Sequence, residues 1–587
     1  MKLHRLSLAQ SSQNLILNRV KYLVILFGLA LLSILIRLFY WQIWTGGELR
    51  QQAMSQYSKN IVRRGLRGSI YTHDNYPLAF SLPAYNLVAD PTRVENKTEL
   101  AGYLTDWLTS QASDSSPLAT APAELNNWLN QKLTTQSRRV LLAEKLSQDV
   151  KELLAQKRLA GLSFEETQDR VYPESSMAAH VLGFVGQDEN GQPTGYFGVE
   201  GGLDRELKGR VQKKSILADA LGLEIRTRPE PQPKLDGRYI QLTIRRDVQY
   251  TIDTMLRSAI DQYQAKSGEV IVMEPSTGNI LGLANWPSFD PNHYQAYEQG
   301  VYKNQSVSAG YEPGSTFKII TLSAGIDSGT VTPDTQCPAC SGPRLIDKYT
   351  IRTWNDVYHP NITMAEALAK SDNTAMIFVA QKMGEPTFRT YLNKFMIGQP
   401  IGLELQEDTA TPFPKTFGPV ELATASFGQG ISTTSLQLVR AVGAIANRGL
   451  MMQPRLVAGY ADDNTSPLQP VPTKALNQVI SANTAQTMTE LMVGSALHGE
   501  AQWTVSRTHQ VAGKTGTSQI ASQGGYDETK TIASFIGFAP PDNPRFIMLV
   551  KLVEPQTSPW AAETAAPLWY KIADRLYLLL DMPPDVN

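Results

Sequence analysis

From Tyr22 to Ile36 the chain reads YLVILFGLALLSILI, with no charged side chain, and after Arg37 the apolar character resumes through LFYWQIW to Trp44. A helix rising about 1.5 Å per residue needs about 20 such residues to cross the hydrocarbon of a bilayer. The run is long enough, and no A-x-A cleavage site follows it, so it reads as a retained membrane anchor rather than a signal peptide. Phe39, Tyr40, Trp41 and Trp44 gather at its far end as an interfacial aromatic belt does. Arg37, near that interface, is expected to snorkel toward the headgroups in preference to contacting another membrane helix. Charge counting leaves the orientation open. Lys2, Arg5, Arg19 and Lys21 precede the span, Arg50, Lys59, Arg63, Arg64 and Arg67 follow it, and a long following domain can be translocated regardless of charge.

The 587 residues imply two to four domains at roughly 150 residues each. With 54 basic and 55 acidic side chains the formal charge is −1, so no global field exists to hold nucleic acid, and no such partner is expected. The only cysteines, Cys337 and Cys340 in CPAC, are two ligands short of a closed zinc site; they read as a small local disulfide or two free thiols.

Composition breaks the remainder in two places. ASDSSPLATAPAE (Ala112 to Glu124) has linker composition, and the proline- and charge-rich RTRPEPQPKLDG (Arg226 to Gly237) marks the main domain boundary. The expected organisation is a tail over 1–21, an anchor over 22–44, a mixed domain over 45–235 and a second domain over 236–587. Beyond the boundary, YIQLTI and GEVIVME read as strands around the helically spaced RDVQYTIDTMLRSAIDQY, while TIASFIGFA, a PPDNP turn and RFIMLVKLV make a hairpin. The fold class is α/β of the α+β kind.

Chemistry enters at GYEPGSTFKI, where a Pro-Gly break precedes Ser315 and an apolar helix is expected to begin. Residues three apart on a helix stand about 5–6 Å from one another at Cβ, so Lys318 can serve as base to the Ser315 hydroxyl once burial has lowered its pKa. Taken alone, Ser315 is equally an ordinary helix N-cap. Ser371-Asp372-Asn373 and Lys514-Thr515-Gly516-Thr517 change the balance. Each has a bland counterpart: S-x-N recurs at Ser12 and at Ser481, the latter an N-cap for the helix after it, and Gly513-Lys514-Thr515 echoes a phosphate loop whose earlier glycine is here Thr508. Asp372 is expected to be a solvated side chain. The ordered set serine-lysine, S-x-N, K-T-G belongs to penicillin-binding proteins and serine β-lactamases.

With these motifs the sequence resembles the class B penicillin-binding proteins, membrane-anchored transpeptidases of peptidoglycan, over nearly its whole length. RGSIYTHDNYPLA is similar to that family's opening motif, with Thr72-His73-Asp74-Asn75 in place of the usual Asp-Arg-Asn-Gly. RVYPESSMAAHVLGFVG and GYFGVEGGLDRELKGR resemble its non-catalytic pedestal, and GEVIVMEPSTGNILGLANWPSFDPN and FGQGISTTSLQLVRAVGAIANRG its transpeptidase domain. The resemblance implies an elongated mixed pedestal followed by a domain built on a central antiparallel sheet flanked by helices. It implies Ser315 as acylated nucleophile, Lys318 as base, Ser371 as proton relay and Asn373 as a holder of the donor peptide. Lys514, Thr515, Gly516 and Thr517 would gather the donor's terminal carboxylate, with the backbone N–H groups of Ser315 and Thr517 as oxyanion hole. The implied donor is a stem peptide ending in D-Ala-D-Ala, with no metal and no cofactor. The catalytic domain is expected outside the cytoplasmic membrane on a single-pass anchor.

The space before the pedestal motifs is too small for a glycosyltransferase domain, so polymerisation is expected from a polytopic membrane partner, alongside other division proteins. Asn373, where elongation-type members often carry Asp, and the end of the chain soon after the hairpin point to the division-specific, septal type. An elongation enzyme, a D,D-carboxypeptidase and a division scaffold with a vestigial site are the alternatives. A β-lactamase would need a further carboxylate to activate water, and Glu385 with Leu392-Asn393 has the wrong spacing for it. A Ser-His-Asp hydrolase lacks its G-x-S-x-G elbow, and no motif places any of the seven histidines.

Overall fold

The computed structural model describes residues 3–111, 121–189, 191–217, 233–463, 465–522 and 525–585. Most of the linker read at Ala112–Glu124, and the break at Arg226–Gly237 as far as residue 232, lie outside them. The chain forms two compact units, one of residues 1–65 with 210–235 and one of residues 66–209 with 236–587.

In the first unit a helix over Leu3–Phe39 passes into a π-helical turn, Tyr40–Trp44. Leu17–Trp44 is long and apolar enough to cross a membrane, with Tyr40 and Trp41 edge to face at 5.5 Å. After a helix over Gly46–Tyr57, the strand Ser58–Arg64 pairs antiparallel with Val211–Leu217.

The second unit begins on the opening motif. Arg67 and Arg170 close on the buried Glu200, with Arg67 Nε 2.5 Å from one carboxylate oxygen and Arg170 Nε 2.7 Å from the other. Arg67 also reaches Asp204, so the resemblance motifs RGSIY and GVEGGLD meet in one ion cluster. Such a cluster holds register, because removing one partner strands a buried charge. The altered turn closes by other means: Tyr76 N–H donates to Thr72 Oγ1 at 2.9 Å, and Asn75 takes the left-handed φ of 62°, which Asn tolerates better than most residues. Ile70–Tyr71, Pro77–Ala89, Val140–Leu146 and Leu162–Val171 then join a sheet that continues through Tyr239–Leu242 to Val457–Ala461.

We number the elements that frame the site: α1 (Arg246–Tyr263), β1 (Ser267–Met273), β2 (Ile280–Trp286), α2 (Lys318–Asp327), α3 (Asn373–Met383), α4 (Ser435–Ala446), α5 (Ala482–His498), β3 (Ala512–Ser522), β4 (Gly525–Ala539), β5 (Phe546–Val553) and α6 (Ala565–Leu579). The five strands form one antiparallel sheet in the order β2-β1-β5-β4-β3. Side chains alternate across a strand, and β5 shows why its sequence is almost continuously apolar: Phe546, Met548, Val550 and Leu552 pack in the layer with α1 and α6, while Ile547 and Leu549 join α2, α3 and α4 on the other face. Both faces are covered. Lys551 interrupts that pattern and pairs with Glu269 directly across the β1–β5 ladder. Ser481 caps α5 by accepting from Thr484 N–H at 3.1 Å, and Cys337 and Cys340 are joined as a buried disulfide.

Candidate active site

The Pro313-Gly314 break opens a 3-10 turn, Gly314–Phe317, which runs directly into α2. Ser315 is half-buried in that turn and Lys318, the first residue of α2, is fully buried. The turn can press against β3 because two positions lack a Cβ. Gly314 has φ +57°, and a Cβ there would stand 3.1 Å from Thr517 O; one on Gly516 would meet Thr316 Cγ2 at 2.7 Å. Glycine at these positions allows both the backbone conformation and the close approach.

Lys318 Nζ donates to Ser371, to its carbonyl at 2.5 Å and to its hydroxyl at 3.2 Å. Ser371 is buried and holds a left-handed φ of 57°, a conformation that costs a non-glycine residue about 1–3 kcal/mol and is kept where surroundings over-determine it. Among the described residues no hydrogen bond links Ser315 Oγ to Lys318. Asp372 is not a solvated residue: it is 2% exposed and caps α3, its Oδ1 accepting from Ala375 N–H at 3.1 Å and Thr374 Oγ1 at 2.6 Å. A side chain beginning a helix with a free carboxylate is drawn to the unpaired N–H groups there, which sequence spacing did not weigh. The cap orients Asn373, whose Nδ2 donates to Arg352 O at 2.9 Å, leaving its carbonyl oxygen for a ligand.

From the opposite wall, Lys514 on β3 is buried, and its Nζ donates to Thr515 Oγ1 at 3.1 Å. Thr515 Oγ1 in turn donates to Glu500 Oε2 at 2.9 Å, and Thr517 Oγ1 accepts from Ala561 N–H at 3.1 Å. Three segments far apart in sequence therefore meet in one cleft. Burial, reinforced by the charge of Lys514, brings the Lys318 ammonium down to about 7, against the opposing pull of Glu500 and Asp372. Burial also lowers Lys514, with Glu500 opposing it. An amine that gives up its proton near neutral pH, in contact with Ser371 and one helical turn from Ser315, can take a hydroxyl proton, and a second, carboxylate-supported ammonium opposite can hold an anion.

Two features carried no sequence signal. Glu500 lies just beyond α5 in no motif, and only the packing of α5 on β3 brings it to Thr515. Trp354 and Trp560, both substantially exposed, meet edge to face at 5.2 Å; Trp354 lies two residues beyond Arg352, whose carbonyl holds Asn373, and Trp560 directly precedes Ala561, whose N–H holds Thr517. The ring pair thus joins the segments that anchor Asn373 and Thr517.

Comparison with known proteins identifies both domains. The family described as the penicillin binding protein transpeptidase domain matches residues 268–574, and the penicillin-binding protein dimerisation domain matches residues 63–242. Stage V sporulation protein D of Bacillus subtilis is 31% identical over 93% of this chain and 83% of its own length. The peptidoglycan D,D-transpeptidase FtsI of Buchnera aphidicola is 26% identical over 97% of this chain and 96% of its own. Among solved structures, penicillin-binding protein 2X of Streptococcus thermophilus shares the fold with a TM-score of 0.72 at 22% identity, covering 89% of this chain and 80% of that one. Penicillin-binding protein 3 of Mycobacterium tuberculosis, solved with aztreonam, gives a TM-score of 0.66 at 25% identity, covering 89% and 98%. Two matched domains in the right order, a relative aligned along almost the entire chain and a shared fold place this chain among the class B penicillin-binding proteins, as a serine acyltransferase of the peptidoglycan D,D-transpeptidase type.

Proposed function

We propose that the chain crosslinks stem peptides at the division septum through an acyl-enzyme on Ser315. Neutral Lys318 takes the Ser315 proton as Oγ bonds to the penultimate D-Ala carbonyl of the donor. The C–N bond breaks, and the leaving D-Ala amine receives that proton through Ser371. An acceptor amine then attacks the ester, gives up a proton along the same path, and frees Ser315. Asn373 orients the donor peptide, while Lys514, Thr515, Gly516 and Thr517 hold its carboxylate. The N–H groups of Ser315 and Thr517 bind the oxyanion, and β-lactams enter as donor mimics. The observation carrying this reading is the contact of buried Lys318 with Ser371 in the cleft that Lys514 closes from the other wall.

The same reading divides the chain into a cytoplasmic tail over 1–21, an anchor over 22–44, a pedestal over 45–235 and a transpeptidase domain over 236–587 outside the cytoplasmic membrane. A polytopic glycosyltransferase and division proteins are its partners. The septal role rests on Asn373. A relative named for sporulation favours spore-wall crosslinking as the second reading. Mass spectrometry after incubation with penicillin is the direct test of the site: an adduct on Ser315, absent in Ser315→Ala, is expected, and a label on another serine would remove the assignment. Arrested septation in cells carrying only Ser315→Ala supports the septal role, whereas a defect confined to spores supports the alternative.

A further inference from the structure

Away from the catalytic cleft, but within the same compact unit, three cavities share walls. The largest, about 620 Å³, is faced by Phe184, Tyr196, Phe197, Tyr294, Tyr297 and Tyr302. A cavity of about 410 Å³ shares Gln187, Tyr294 and Gln295 with it. A third, of about 400 Å³, shares Tyr196, Phe197 and Lys303 and extends to Ser308, in the segment leading to the Ser315 turn. Together they form one open trough.

Its walls are rigid: Tyr196, Phe197, Tyr294 and Tyr297 keep part of their rings exposed, backed by the buried Phe184 and Tyr302. Tyr302 Oη lies 2.6 Å from Tyr294 O and 2.7 Å from Tyr297 O, tying down that loop. Tyr196 Oη donates to Gln187 O at 3.2 Å, and Phe184 stacks on Tyr294 with centroids 4.1 Å apart. Phe197 has φ 58° and ψ 170°, a conformation that is strained for an aromatic residue and persists only where the surroundings enforce it. Here Phe197 N–H donates to Gln406 Oε1 at 2.6 Å and Gly198 N–H to Glu407 Oε2 at 2.9 Å, from the loop that also lines the third cavity. Strain maintained by two directed hydrogen bonds keeps the Phe197 ring in the trough wall. Tyr297 is 38% exposed, and Gln187, Gln295, Gln299 and Lys303 supply a polar rim.

Open-ended, ring-faced and rimmed with amides, the trough has the form of a site for a linear ligand with flat, weakly positive C–H faces and hydrogen-bonding edges. A pyranose ring has both: its axial C–H bonds meet the negative face of an aromatic ring, and its hydroxyl and acetamido groups reach the amides. Lys303 and Glu407 oppose one another in charge, which disfavours a polyanion. Stem peptides hang from a chain of N-acetylated hexosamines, and that chain must lie along the protein while its peptide enters the cleft. We propose that this trough binds the glycan strand of the substrate, a β-1,4-linked N-acetylhexosamine polymer. The proposal rests on the transpeptidase assignment and not on the role of any single catalytic residue.

The probe is the β-1,4-linked hexamer of N-acetylglucosamine, titrated calorimetrically into the full chain in detergent. Tyr294→Ala and the exposed Tyr297→Ala are each expected to weaken the hexamer about tenfold, and Tyr294→Phe to stay within twofold. Penicillin acylation, which reports on the cleft alone, should stay within twofold in all three. Crosslinking of polymeric, uncrosslinked glycan should fall about tenfold in Tyr297→Ala while turnover of a free D-Ala-D-Ala pentapeptide is unchanged. Absence of hexamer binding by the unaltered chain, or affinity unchanged in both alanine variants, overturns the proposal; so does preferential occupation by an apolar peptide. If Tyr294→Ala fails to fold, shown by lost acylation, Tyr297→Ala decides by itself. Loss of acylation in the unaltered chain would instead refute the reading of the cleft.

Discussion

Replacing Lys318 with arginine tests whether the buried amine works as a base or merely as a cation. With its pKa near 7 against an ordinary 10.5, about half of Lys318 is neutral at pH 7, compared with about 3 in 10⁴ for an unburied lysine. Burial thus raises the population of competent base by about 10³. Arginine keeps the charge and can still donate to Ser371, but it does not deprotonate in proteins. Stopped-flow acylation with a fluorescent penicillin between pH 5 and 9 should show, for the unaltered chain, a rate climbing tenfold per pH unit and levelling near pH 7. Lys318→Arg should be slower by about 10² to 10⁴ or more at every pH, without that limb. An arginine variant within tenfold, or a native rate still climbing at pH 9, would refute the argument. The same shift has a cost in stability. The folded pKa lies below the unfolded one, so the unfolded chain holds more protons between pH 7 and 10.5, and this group's contribution to stability improves as the pH rises through that window. At pH 7 the penalty is about 4 kcal/mol, so Lys318→Met, which cannot catalyse, should unfold at a higher temperature at pH 7 and lose that advantage toward pH 10.

Glu500→Gln removes a carboxylate that holds both lysines toward their charged forms; the acid limb of acylation should move to lower pH and carboxylate-dependent donor binding should weaken, and an unchanged pH profile would dismiss the role. Asp372→Ala deletes the α3 cap and should cost about 1–2 kcal/mol in a denaturant titration, whereas Asp372→Asn, which can still cap, should lose only a few tenths. For Trp354 and Trp560, a double-mutant cycle to alanine should return a coupling of about 0.5–1.5 kcal/mol; no coupling would mean that the rings do not meet in solution.

The parts of the fold that could be read ahead were those written in local periodicity. The strand at β5 and the helix at α1 lie where a continuous apolar run and helical spacing indicated, because each element buries faces that its own sequence defines. The Ser481 cap was equally legible, since a cap and the N–H it satisfies are three residues apart. Asp372 was misread for a related reason: between two motif residues it looked idle, and only the start of α3 gives it N–H groups to accept. The choice between disulfide and free thiols at Cys337 and Cys340 needed the geometry of the short loop joining them.

What the amino-acid order determines alone is the apolar span, the residue types able to carry acyl transfer and their sequence along the chain, because solvation and side-chain chemistry are properties of short segments. The tertiary structure decides what those residues become. Lys318 is an ordinary ammonium until the packing of α2, α3 and β3 strips its water and sets Lys514 opposite. Glu500 has no assignable part until α5 delivers it to Thr515. Both effects depend on distance and burial, which arise only when segments remote in the chain are folded against one another.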